Sequence, residues 1–149
     1  MKKIILLFVI IAICVISCKT VPKFSDVSGK EWKLTDVRLD GKSINFDRTV
    51  LESDGFADIF TLNFDAERLS GAGASNRYLA PYTLGKNQAI SVQMAGETQM
   101  APLRQPEKLK EYDFFIYIQN AYQWSLVDGN LELSSKGEDG GDVVLVFAL

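Results

Sequence analysis

The stretch of sequence that decides the fold is SGAGASNRYLAPYTLGKNQAISVQMAGETQMAP, residues 70–102. Its glycine-rich start predicts a tight turn, and alternating apolar residues then predict one strand at 77–84 and a second that ends at Met94. A turn at 85–87 joins the two strands. Pro81 lies inside the first strand and cannot donate a ladder hydrogen bond, so we expect that strand to lie at an edge or to be bulged there.

Two further strands are predicted upstream of this stretch. One, at 32–39, ends at an Asp-Gly hairpin signal and is followed by a short partner at 43–46. The other, at 58–64, carries phenylalanine or leucine at every second position, which predicts a half-buried strand. Residues 49–58 are predicted to form a loop between them.

A helical period replaces the strand pattern after Pro106. Proline suits the first turn of a helix, and Glu107 close behind it would interact favourably with the helix dipole. Because the apolar residues that follow cover a wide arc, we expect a helix that packs into a β core, with Leu109, Phe115 and Ile118 buried.

The C-terminal part predicts strands at 123–127 and 131–134, joined by a turn at 128–130, and a terminal buried strand at 143–147. About six or seven short strands with frequent turns and one helix predict a mainly β fold of the α+β class. The expected architecture is a small, antiparallel, strongly curved sheet or barrel, lipocalin-like in shape, with one packed helix.

The motif stretch resembles the core of the META/HslJ family, in which a G-x-x-G-C-N-x-Y-x-G-x-Y element precedes a strand and then a T-x-M-A-C element. Family members also open with a Trp-x-Leu strand, which Trp32 and Leu34 match, and carry a helical Glu three residues before a Phe, which Glu111 and Phe114 match. The resemblance covers residues 29–149. The residues assigned to the family motif are Gly71, Gly73, Asn76, Tyr78, Tyr82, Thr98, Met100, Ala101 and Glu111.

Three of the positions at which the chain departs from the family pattern are informative. Ala74 stands in place of the second motif glycine, and Ser75 and Pro102 stand in place of the two motif cysteines. If those cysteines pair in relatives, the resemblance implies that Ser75 and Pro102 are spatial neighbours, with Cα atoms within about 7 Å.

The N-terminus predicts a signal peptide at 1–17. Two lysines precede an uncharged apolar run at 4–16, whose helical length of about 20 Å is short of the ~30 Å hydrocarbon core of a bilayer. Ser17 precedes Cys18 as in a bacterial lipobox, so Cys18 is the expected lipidation site, whereas Cys14 follows a bulky isoleucine.

The expected domain organisation follows from that cleavage site. Residues 18–28 are predicted to be a short lipidated tether and residues 29–149 the META/HslJ-like domain. The domain would therefore stay close to its membrane.

Composition excludes several classes of function. The chain has 16 basic and 19 acidic residues, and loss of Lys2 and Lys3 with the signal leaves 14 against 19, a net charge of −5 that argues against nucleic-acid binding. Both cysteines lie in the signal or at its end, so the mature domain has no internal disulfide. The sequence has no histidine, which excludes histidine-dependent triads and Cys/His zinc sites.

Two loops could in principle bind ions. The glycine-rich turn is followed by a strand rather than by the helix that a phosphate loop needs, so we expect a structural turn with positive φ at Gly71 or Gly73. Glu138, Asp139 and Asp142 could ligate calcium, but their spacing does not match an EF-hand loop, and we expect a solvated turn.

The remaining polar groups do not predict a reaction centre. No spacing forces the candidate acid/base residues together, and the hydroxyl groups have no visible activating base. Glu111 is a carboxylate on a mostly apolar helix, and we expect it to hydrogen-bond to turn amides rather than to act in catalysis. We therefore predict no catalytic, cofactor-binding or metal-ligating residue. The groups weighed are the carboxylates Asp54, Asp58, Glu97 and Glu111 and the hydroxyls Ser70, Ser75 and Thr98.

The tyrosines form a further set. We expect most of them to lie in the core or at its rim, with the lining of a ligand groove as the alternative. They are Tyr78, Tyr82, Tyr112, Tyr117 and Tyr122.

The lipobox and the absence of a reaction centre predict a lipid-anchored, non-enzymatic domain that faces the periplasm or the cell exterior. The resemblance implies an envelope-associated or stress-related binding role. We expect a monomer without cofactors that contacts the membrane through its lipid and has an envelope protein as a partner. A small-molecule carrier with a lipocalin-like cavity is one alternative, which a hollow core would favour. A protein-interaction or inhibitor module is another, which an exposed apolar patch or sheet edge near residues 82–84 would favour.

Overall fold

The computed structural model describes residues 21–93, 96–98 and 105–149. The expected signal peptide, Cys18, Met94, Met100, Ala101 and Pro102 lie outside the described residues. Within the described part the chain forms ten strands and two α-helices. The strands are β1 Glu31–Leu39, β2 Lys42–Asn45, β3 Thr61–Phe64, β4 Arg68–Ala72, β5 Arg77–Leu84, β6 Ile90–Val92, β7 Gly96–Glu97, β8 Gln123–Val127, β9 Asn130–Lys136 and β10 Asp142–Ala148; the helices are α1 Arg48–Ser53 and α2 Glu111–Gln119.

The strands form one antiparallel sheet that curves into a nearly closed barrel. Its order is β6-β5-β4-β3-β1-β10-β9-β8, with β2 beside β1 and β7 beside β5. The two ends of this order approach each other, since Ala89 bridges to Gln123 and the amide of Ile90 donates to the carbonyl of Tyr122 at 3.0 Å. The predicted fold class, a curved antiparallel sheet or barrel with one main helix, is therefore confirmed.

Aromatic side chains fill the interior of the barrel. The ring of Phe24 lies 5.2 Å from both Phe64 and Trp124, and Phe114 from α2 lies 4.9 Å from Phe60. Between these clusters the inward residues of the strands are fully buried, as the period-two pattern predicts. They include Trp32, Leu34, Leu62, Leu69, Leu131, Leu133, Leu145 and Phe147.

Two hairpins have the turns that their sequences predict. Asp40 and Gly41 both have positive φ, as do Asp128 and Gly129. A two-residue hairpin of this kind needs left-handed backbone at both positions, which Asp-Gly supplies at low cost. The pairing of β1 with β2 and of β8 with β9 was therefore predictable from local sequence.

Two predictions were wrong: the loop at 49–58 and the start of the main helix near Pro106. The expected loop at 49–58 contains α1, because the side chain of Asp47 accepts hydrogen bonds from the amides of Thr49 and Val50 and caps the helix. The main helix begins at Glu111 rather than near Pro106, after an extended Lys110. None of the described helices is long and apolar enough to cross a membrane.

The burial of the apolar side chains in and just before α2 differs from the prediction at one residue. Leu109 and Ile118 are buried as predicted, but Phe115 is only half-buried. Phe114 takes the central position and is completely inaccessible to solvent. The predicted burial of Phe115 is therefore wrong, and the buried aromatic residue is its neighbour Phe114.

Pro81 does not mark an edge strand. β5 pairs with β4 along one side and with β7 and β6 along the other. Pro81 lies where the partner changes, between Leu79, which pairs with β7, and Tyr82, which pairs with β6. The interruption accommodates a residue that has no amide hydrogen.

The folded part begins earlier than the predicted tether boundary. Phe24–Asp26 form a turn of 3-10 helix, and Val27 is fully buried with its carbonyl accepting a hydrogen bond from the Trp32 indole at 2.9 Å. The amide of Gly29 also donates to the carbonyl of Phe64. Residues 24–28 therefore belong to the domain rather than to a free tether.

Candidate functional site

The family motif converges on the carboxylate of Glu111, the first residue of α2. Its Oε1 accepts hydrogen bonds from the amides of Ser75 at 2.6 Å and Asn76 at 2.7 Å, and its Oε2 accepts one from the Asn76 side chain at 2.7 Å. The side chain of Glu111 is buried beneath the turn that joins β4 to β5. The prediction that Glu111 binds turn amides is confirmed.

The motif glycines permit this close approach. A Cβ atom at Gly73 would lie 2.5 Å from Oε1 of Glu111, and one at Gly71 would lie 2.0 Å from the carbonyl oxygen of Thr61. Neither glycine has a positive φ, so that expectation was wrong. Glycine is required here because the backbone of the motif lies against other groups, not because of its own backbone conformation.

The second motif element is joined to the first through Thr98. Its hydroxyl donates to Oδ1 of Asn76 at 2.8 Å and accepts from the amide of Arg77 at 3.2 Å. Asn76 thus links the turn, the helix carboxylate and the second element. Because Pro102 lies outside the described residues, the predicted proximity of Ser75 and Pro102 stays a prediction.

The two motif tyrosines tie β5 to neighbouring strands. The buried hydroxyl of Tyr78 donates to the carbonyl of Thr61 at 2.7 Å, and burial raises the pKa of Tyr78. The hydroxyl of Tyr82 donates to the carbonyl of Asp65 at 2.6 Å. Of the other tyrosines, Tyr117 is half-buried, whereas Tyr112 and Tyr122 are exposed. The core or rim interpretation therefore holds for Tyr78, Tyr82 and Tyr117.

Opposing effects act on the pKa of Glu111. Burial raises it, but the hydrogen bonds from the amides of Asn76 and Ser75 and from the Asn76 side chain outweigh burial, so the pKa lies below its usual value. The group is therefore an ionised acceptor at neutral pH. It has neither the raised pKa nor the free oxygen that a general acid would need.

The acidic turn near the C-terminus does not converge on an ion site. Tyr112 donates to Glu138 at 2.6 Å, Asp139 accepts from the amide of Gly141, and Asp142 pairs with Lys136 at 2.6 Å. Across the described ranges, the histidine, cysteine, aspartate and glutamate side chains form no group of three or more that could hold a metal.

The other candidate acid/base groups lie in separate settings. Asp54 lines a groove beside α1, and Asp58 is exposed with Lys33 at 4.0 Å. Glu97 pairs with Tyr78 through the β5–β7 ladder. The side chains of Asp54 and Asp58 therefore do not share a site with Glu111.

Arg48 joins two backbone segments to α1 through hydrogen bonds, a role that the sequence did not predict. Its guanidinium donates to the carbonyl oxygens of Ala57 at 2.6 Å, Ile59 at 3.1 Å and Leu34 at 3.4 Å. These bonds tie α1 to β1 and to the chain that leads into β3. No motif marks Arg48, because its partners are backbone carbonyls whose positions depend on the fold.

Two surface grooves lie away from Glu111, each with a volume of about 480 Å³, and the second of them includes the motif residue Tyr82. The α1 groove lies between α1 and residues 106–108, and its walls combine apolar groups with three carboxylates. Its lining includes Phe46, Val50, Leu51, Phe56, Asp47, Asp54 and Glu107. The second groove lies beside the N-terminal segment. Its apolar lining is Phe24, Phe64, Tyr82 and Leu84, and its remaining lining is Ser28, Gly29, Asn63, Asp65 and Ala66.

Comparisons with known proteins agree with this architecture. The structure is similar to the NMR structure of a protein from Burkholderia xenovorans, with a TM-score of 0.57 and 17% identity over 82% of this chain and 83% of that one. It is also similar to a DUF4847 family protein from Bacteroides vulgatus, with a TM-score of 0.55 and 13% identity over 84% of this chain and 95% of that one. At such identities the likeness shows the fold alone.

No curated protein matches the chain. The family model of the META domain, however, matches residues 25–148, which is most of the 149-residue chain. The motif residues that meet at Glu111 lie inside this match. The chain belongs to the META domain family.

Proposed function

We propose that this protein is a monomeric lipoprotein of the bacterial envelope whose META domain serves a non-enzymatic, stress-related binding role. The proposal is carried by the hydrogen bonds that the Glu111 carboxylate accepts inside the domain. The motif's buried carboxylate is committed to the amides of Ser75 and Asn76 and to the Asn76 side chain. A group so engaged stabilises the fold and leaves the outer surface of the barrel for function.

Binding on the outer surface is preferred over a carrier function with an internal cavity. Phe60, Phe114 and Trp124 are buried in the barrel interior, where a lipocalin-like carrier would hold its ligand. The α1 groove instead offers apolar walls beside carboxylates on the surface. Such a mixture of apolar area and a few polar groups suits recognition of a partner.

The anchoring part of the proposal rests on the N-terminal sequence. A positively charged start, an apolar run and Ser17 before Cys18 favour cleavage before Cys18 and acylation of that residue. Stable anchoring takes two or more acyl chains. The six steps from Cys18 to Phe24 span at most about 22 Å, which would keep the domain near the membrane on the periplasmic or outer side.

Acylation is tested by labelling cells with radioactive palmitate. The Cys18→Ala variant is expected to lose all incorporated label and to leave the membrane fraction, because no other cysteine remains in the mature chain. The Cys14→Ala variant, which alters the competing cysteine within the signal, is expected to retain both properties. Label in Cys18→Ala, or its loss in Cys14→Ala, would contradict anchoring at Cys18.

The binding role is tested by crosslinking in intact envelopes. Val50 is 52% exposed and lines the α1 groove, so Val50→Arg should abolish crosslinks to an envelope partner without unfolding the domain. Thr49→Arg is the matched control, because Thr49 is exposed on the same helix but does not line the groove. Equal crosslinking by the wild type and both variants would rule out the α1 groove as the binding surface.

A further inference from the structure

The N-terminal segment enters the barrel beside an apolar surface to which the family motif contributes only Tyr82. We call this surface the tether face and define it by Val21, Phe24, Phe64, Tyr82 and Leu84. We propose that the tether face lies against the lipid surface of the membrane to which the protein is anchored. The inference rests on the proposed acylation of Cys18 and adds an orientation to it.

The tether face combines a rigid aromatic base with exposed aliphatic groups. The ring of Phe24 packs 5.2 Å from Phe64 and 5.6 Å from Tyr82, and these side chains line the second groove together with Leu84. Leu84 is 46% exposed and Val21 is 73% exposed. Aliphatic groups displayed on a fixed aromatic base are a favourable contact for the boundary between headgroups and acyl chains.

The number of residues between Cys18 and the barrel limits how far the tether face can lie from the membrane. Three residue steps separate Cys18 from Val21, a span of at most about 11 Å. Phe24 is only three residues farther on and is held in the barrel by its aromatic contacts. An acylated Cys18 therefore holds the barrel within a short distance of the headgroups, and the end at which the chain enters is the end nearest to them.

The distribution of charge favours the same orientation. Exposed Lys23 and Lys86 flank the tether face and can contact lipid phosphates. Two acidic residues also lie there: Asp26 accepts a hydrogen bond from the amide of Lys23, and Asp65, which lines the groove, accepts from the amides of Glu67 and Arg68. The α1 groove carries the carboxylates of Asp47, Asp54 and Glu107, which an anionic lipid surface would repel.

Site-specific fluorescence tests the orientation in the complete lipoprotein. Because Cys18 is acylated, Leu84→Cys introduces a single free thiol, which is labelled with an environment-sensitive fluorophore. The labelled protein is reconstituted into vesicles of phosphatidylethanolamine and phosphatidylglycerol. Val50→Cys is the matched control, since Val50 is 52% exposed but lies in the α1 groove. Lys86→Cys, in the exposed turn after Leu84, repeats the measurement if Leu84→Cys does not fold.

We expect a blue shift and several-fold weaker quenching by aqueous iodide at position 84 than at position 50. Equal quenching at both positions in protein that floats with the vesicles would overturn this inference while leaving the anchoring intact. Protein that does not float overturns the anchoring and this inference together. Shielding of position 84 that requires added envelope proteins would assign the face to a protein partner and would also overturn the inference.

Discussion

Replacement of Glu111 by alanine is expected to lower the free energy of unfolding by about 3–5 kcal/mol. The loss is large because one buried carboxylate accepts three hydrogen bonds, from the amides of Ser75 and Asn76 and from the Asn76 side chain. Its removal leaves these donors without their acceptor. The measurement is urea unfolding followed by tryptophan fluorescence, since Trp32 and Trp124 are both buried.

Two control variants separate this effect from a general loss of charge. Glu107→Ala removes an exposed carboxylate from the preceding loop and should change stability by no more than about 0.5 kcal/mol. Glu111→Gln keeps the shape and one acceptor oxygen but turns an amide donor towards the Asn76 side chain, so an intermediate loss is expected. A loss for Glu111→Ala no greater than that for Glu107→Ala would contradict the proposed role.

The same carboxylate makes the stability depend on pH in a defined direction. The pKa of Glu111 in the folded domain lies below the ordinary value of 4.5, so its contribution is present above that value and is lost as the pH falls through the folded pKa. The stability difference between the wild type and Glu111→Gln should therefore shrink as the pH falls below about 4.5. A difference that stays constant down to the acid unfolding transition would contradict this linkage.

Replacement of Phe114 by alanine is expected to cost about 3–5 kcal/mol, a large part of the ~5–15 kcal/mol that stabilises a typical domain. The Phe114 ring is fully buried and lies 4.9 Å from Phe60 and 5.9 Å from Tyr78. Its removal would leave a cavity between α2 and the strands. Unfolding in urea gives the size of the loss.

Neighbouring aromatic residues of α2 provide the controls. Phe115 is half-buried, so Phe115→Ala should cost clearly less than Phe114→Ala. Tyr112 is 60% exposed, and Tyr112→Ala should cost no more than about 1 kcal/mol. Equal losses at positions 114 and 115 would show that α2 packs in a different rotation from the one described.

The two variants disturb the same connection between α2 and the motif. Glu111 binds the turn before β5, and Phe114 contacts Tyr78 inside that strand. A Cβ atom at Gly73 would meet both Glu111 and Phe115, at 2.5 Å and 2.7 Å. The motif therefore forms the contact surface that holds α2 against the barrel.

The sequence by itself determined the features that depend on near neighbours. Period-two alternation located most strands, because successive side chains of a strand point to opposite faces. The Asp-Gly pairs at 40–41 and 128–129 determined two hairpins, because few other residues accept left-handed backbone at both turn positions. The motif also identified the family before any contact was known.

Only the tertiary structure decided which groups meet. Glu111 and Asn76 are separated by 35 residues along the chain, and Arg48 finds its partners on two different segments, at Leu34 and at residues 57–59. Such contacts do not produce a periodic pattern in the sequence, because they depend on how the whole barrel folds rather than on local conformational preferences. For the same reason the burial of Phe114 in place of Phe115 follows from how α2 packs against the motif turn and the strands.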